Sequence, residues 1–67
     1  MNTMRQLEGK DLSILKDQLG CEELAYKKCL LYSQQISDQQ LKGFVNQLAS
    51  QHKQNYNTMQ QYLSTHC

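Results

Sequence analysis

Two side chains able to bind a metal or share a proton stand equidistant from Ser37, with Glu22 before it and His52 after it. A chain folding back at Ser37 brings them to one height, because equal rise along antiparallel helices keeps equal sequence distance level. Glu23 is the neighbouring carboxylate, and which of the two faces inward depends on a helix rotation that the sequence leaves open. A carboxylate in apolar surroundings is costly unless it is paired, so the expectation is a hydrogen-bonded Glu–His pair or a share in a cation site. The hydroxyls of Tyr26 and Tyr56, a turn away along each helix, could satisfy the remaining lone pairs.

If a metal binds, Glu22, Glu23 and His52 are its candidate ligands, doubled in a dimer to a set near the centre of a bundle. Di-iron carboxylate bundles carry Glu-x-x-His on two helices. Here the residue three before His52 is Ala49, so the hydrogen-bonded pair is the preferred reading and no cofactor is expected. Nucleophilic catalysis needs a thiol or hydroxyl beside a base. Cys29 lies well away from the level of His52, and the chain is not expected to be an enzyme.

The elements that must position these residues are long helices. There is no Pro, and Gly9, Gly20 and Gly43 are isolated, so nothing divides the chain into short pieces. Leu12, Leu15, Leu19, Glu22, Tyr26, Cys29, Ser33 and Ile36 recur at steps of three and four, the seam of an amphipathic helix over about 11–36. Ser37 and Gln40 fit a Ser-x-x-Gln capping box, with Asp38 in the positive first turn, and a second helix is expected over about 38–64. Its seam reads Leu41, Phe44, Leu48, His52, Tyr56, Met59, Leu63 and His66, with Val45, Asn55 and Tyr62 beside it. A short connection makes the helices antiparallel. Gly20 and Gly43 each cost about 1 kcal/mol against Ala inside a helix, and close backbone approach is one way to compensate them. His66 is expected to cap the negative end of the second helix.

Composition sets the limits. The chain has 67 residues, 39 % of them hydrophobic, with one Phe and no Trp, too few for a self-sufficient core in one copy. Ile14, Leu24, Ala25, Leu30 and Leu31 widen the first seam beyond one contact. The expected fold class is therefore all-α: an antiparallel two-helix hairpin, one domain over 1–67, dimerising into a four-helix bundle. A net charge of +1 with scattered basic residues argues against a nucleic-acid partner. No stretch reaches the roughly 20 apolar residues that span a bilayer, and the first residues carry no apolar run like that of a signal peptide, so cytoplasmic synthesis without a membrane partner is expected. Cys21 and Cys29 lie roughly 12 Å apart on one helix, too far for a disulfide, and read as small packing residues. Cys67 reads as a tail thiol able to cross-link copies.

The chain resembles the spore coat F-like proteins of endospore-forming Firmicutes. The resemblance is carried by Lys10-Asp11-Leu12, Leu15 through Leu19, Glu23, Tyr32, Ser37-Asp38, Leu41-Lys42, Phe44, Leu48, His52, Met59 and Tyr62. It implies a ferritin-like four-helix arrangement and a structural, coat-associated role. Other coat proteins would then be partners beyond the homodimer, and the spore coat the place of assembly. Where such relatives often carry acidic residues just before the His, this chain has Ser50-Gln51.

Overall fold

A computed structural model of the chain describes residues 9–66. The expectation for Cys67 and that for the first residues lie outside these. Helix α1 runs Gly9–Gln35 and helix α2 runs Gln39–His66, packed side by side as an antiparallel hairpin. This is the expected all-helical hairpin, with helix ends within two residues of the sequence boundaries. Among the described residues, no helix is long and apolar enough to cross a membrane.

The connection is three residues, Ile36, Ser37 and Asp38. The expected cap at Ser37 moves by one: Oδ1 of Asp38 accepts the backbone N–H of Leu41 at 2.8 Å, while the Asp38 carbonyl accepts from Lys42 at 2.9 Å. Asp38 thus satisfies a first-turn donor and places its charge where the helix dipole is positive. Ser37 is left exposed in the link.

The α1 seam is the expected one. Leu19 and Ser33 are buried, and Leu12, Leu15, Glu22, Tyr26, Cys29 and Ile36 are half-buried. Buried Ser33 donates its hydroxyl to the Leu30 carbonyl at 2.9 Å, so it brings no unsatisfied polar atom into the seam.

The α2 seam departs from expectation in its first half. From His52 onward Tyr56, Met59, Leu63 and His66 face α1, but before it the facing residues are Lys42, Val45 and Ala49. Leu41, Phe44 and Leu48 stand on the flank, with Phe44 57 % exposed. The reason is phase. Steps that alternate three and four keep a stripe on one side of a helix wound against a partner. Counting back from His52 by that rule gives Ala49, Val45 and Lys42. Ala49, only 2 % exposed, lets the two backbones approach where a Leu would hold them apart.

The glycines have no packing role of the kind expected. A Cβ at Gly20 or Gly43 would meet nothing within 4 Å, so neither marks a close approach of the helices. Cys21 is exposed rather than packed, and Cys29 is half-buried.

Candidate functional site

The fold brings the equidistant pair together. Nδ1 of His52 lies 2.6 Å from Oε1 of Glu22. A carboxylate only accepts, so the imidazole Nδ1–H is the donor. The Glu22 side chain is 12 % exposed and that of His52 30 %. Both occupy seam positions, and the packing of Leu19 and Tyr56 towards the open end and of Tyr26 and Ala49 towards the turn fixes their height.

The other oxygen of Glu22 takes two longer contacts. Asn55 Nδ2 and Gln18 Nε2 each donate to Oε2 at 3.4 Å. Asn55 is itself held by Gln51, whose amide donates to Asn55 Oδ1 at 3.0 Å. These amides, not the tyrosine hydroxyls expected from the sequence, complete the shell of the carboxylate. Their spacing could have shown it: Gln18 lies one helical turn before Glu22, and Asn55 one turn after His52. Tyr26 instead lies beneath Lys53, whose Nζ sits 5.8 Å from the ring centroid.

The donors hold the Glu22 carboxyl below its ordinary range, the His52 hydrogen bond first, against an opposing push from desolvation. Glu23 takes the other side of α1. It pairs with Lys27 at 3.5 Å on the exterior and is not brought to His52. Of the three candidate ligands, therefore, Glu22 and His52 meet and Glu23 does not. Among the described residues, no three His, Cys, Asp or Glu side chains gather as a metal set. A cation bridging Glu22 and His52 would have to displace the proton they share.

At the far end, His66 stacks on Tyr62 with ring centroids 3.8 Å apart and turns Nδ1 to the Tyr62 carbonyl at 2.8 Å. His66 thus stands in the last turn as expected, where a cation complements the negative end of the helix dipole.

No protein-family model, curated protein or solved structure matches the chain.

Proposed function

We propose that this chain is a structural, self-associating protein, two hairpins completing a ferritin-like four-helix bundle that joins a larger coat-type assembly. The supporting observation is the imbalance between core and exterior. Leu19 and Ala49 are the buried hydrophobic residues among those described, whereas Ile14, Leu24, Leu31, Leu41 and Phe44 are each at least half exposed. A two-helix hairpin has no third layer to cover them, and each fully covered side chain of this size is worth about 1.5–3 kcal/mol. A second copy covers the flank of Ile14, Leu41 and Phe44, and the larger assembly the outer side of α1 with Leu24 and Leu31. The Glu22–His52 pair then serves to fix the seam, not to carry a reaction. The coat setting follows from the resemblance to spore coat F-like proteins.

The test is sedimentation equilibrium with thermal melts across a hundred-fold range of protein concentration. A dimer whose melting temperature rises with concentration is expected. A monomer with full helicity at all concentrations would overturn the proposal.

A second reading, a ferritin-like metal-binding protein, is favoured by one observation, the meeting of a carboxylate and an imidazole at the hairpin's centre. Metal per chain after exposure to iron(II) or zinc(II) separates the two. Stoichiometric metal lost in His52→Ala would favour the metal protein.

A further inference from the structure

The seam residues divide the rest of the hairpin into two long faces, and the two differ. On one, Glu23 and Lys27 of α1 line a shallow hollow with Lys53 and Asn57 of α2, and Lys16 lies two turns before Glu23. On the opposite face, Ile14 and Gln18 of α1 share a hollow with Tyr62 of α2. Continuing along that face by the same helical steps leads through Cys21, Ala25, Lys28 and Tyr32 on α1, and back through Asn55, Leu48, Phe44 and Leu41 on α2. Its apolar content is concentrated near the turn, in Tyr32, Leu41, Phe44 and Leu48. Gln18 and Asn55 mark its centre, and Ile14 and Tyr62 form a smaller apolar zone at the open end.

We infer that two copies pair through this second face, turn beside turn, about a two-fold axis parallel to the helices. The inference rests on the self-association proposed above and names its surface and direction. Two helices about 40 Å long and about 10 Å wide present roughly 800 Å², the share each partner contributes to a standard stable interface. The face is nearly free of charge, carrying Lys28 and Asp11, so it asks for an uncharged apolar partner; a second copy of itself supplies one.

The direction follows from heights. Glu22 and His52 are level, so residues whose numbers sum to about 74 share a height along the hairpin. With the turns together, the Leu41–Phe44–Leu48 zone of α2 covers Tyr32 and Ala25 of the partner's α1, and like zones meet throughout. Lys28 then lies over Phe44 of the other copy, a cation over an aromatic face. Asp11 comes level with Tyr62 and His66. The reversed pairing sets Asp11 at the height of the other copy's Tyr32, a carboxylate over the apolar zone without a donor.

The experiment uses the full chain with Cys21, Cys29 and Cys67 replaced by Ser and Ser37→Cys carrying a spin label at the exposed turn. Turn-beside-turn pairing places the labels within about 30 Å, whereas the reversed pairing separates them by about 40 Å or more, the length of the hairpin. A dimer with the short distance is the expected result. A dimer with the long distance overturns the direction and leaves self-association standing; a monomer overturns both. Phe44→Asp, at an exposed site that the fold of one chain does not need, should raise the dimer dissociation constant about 30-fold or more. Lys53→Asp on the opposite face should leave it within a few-fold. Equal effects of the two would overturn the choice of face.

Discussion

The two long faces of this hairpin are built on the same pair of helices and share the same seam, yet they solve opposite problems. The face of Glu23, Lys27 and Lys53 is largely polar: Glu23 pairs with Lys27, and Lys53 sets its ammonium over the ring of Tyr26. The face of Tyr32, Leu41, Phe44 and Leu48 is unfinished, with large apolar groups half in water. A marginal two-helix core can tolerate such a surface only if something covers it. The lesson is that amphipathicity in a small chain need not be two-sided. Three zones, a seam, a wet face and a dry face, can be written on one helix by choosing what stands beside the seam.

Several substitutions break or sharpen that contrast. The largest effect is expected from a charge on the dry face: Phe44→Asp should lower the melting temperature and abolish its dependence on protein concentration, read by circular dichroism across a dilution series. Leu19→Ala acts on the seam that both faces share and should cost about 2–5 kcal/mol, the range for truncating a buried Leu, in a urea titration. Gly20→Ala and Gly43→Ala test the wet face. Each Cβ enters open space, so each should stabilise by about 1 kcal/mol, additively, with no change in dimer affinity. A smaller effect comes with pH. The Glu22 carboxyl is held below its ordinary range, so its contribution is fully present above the unfolded carboxylate range and is lost as pH falls from there through the lowered, folded-state range. The fall in melting temperature between pH 7 and pH 3 should therefore be shallower in Glu22→Gln. Smallest of all, Lys27→Ala removes an exposed ion pair and should change stability by less than about 0.5 kcal/mol.

Much of this was legible in the residues. The α1 seam could be followed from Leu12 to Ile36 because each step of three or four lands on a residue that the fold covers. The meeting of Glu22 and His52 followed from their equal distance to the turn. What misled was size. Leu41, Phe44 and Leu48 are larger apolar groups than Lys42, Val45 and Ala49, and a reading that follows hydrophobicity assigns them to the seam. The seam instead keeps the phase set by His52, and the larger side chains are left for the dry face. The choice between Glu22 and Glu23 was closed to the sequence for a related reason: adjacent residues differ by about 100° of helix rotation, and only packing decides which one turns inward. Ser37 and Asp38 are both good caps, and one residue of difference at a helix end is within what sequence can resolve.

The three-residue connection has a kinetic consequence. Contacts beside the turn close short loops, whereas Leu12 meets its α2 neighbours across almost the whole chain, and closure entropy grows with loop length. Assembly of one chain should thus run like a zipper from Asp38 outward, with the helix ends at Gly9 and His66 last to dock and first to fray. Amide exchange should follow the same gradient, slowest around Ser33 and Val45 and fastest towards Gly9 and His66. In the proposed pairing, with the turns side by side, the apolar zone that would join two copies lies at the end that forms first, so two half-zipped chains would already present it to each other.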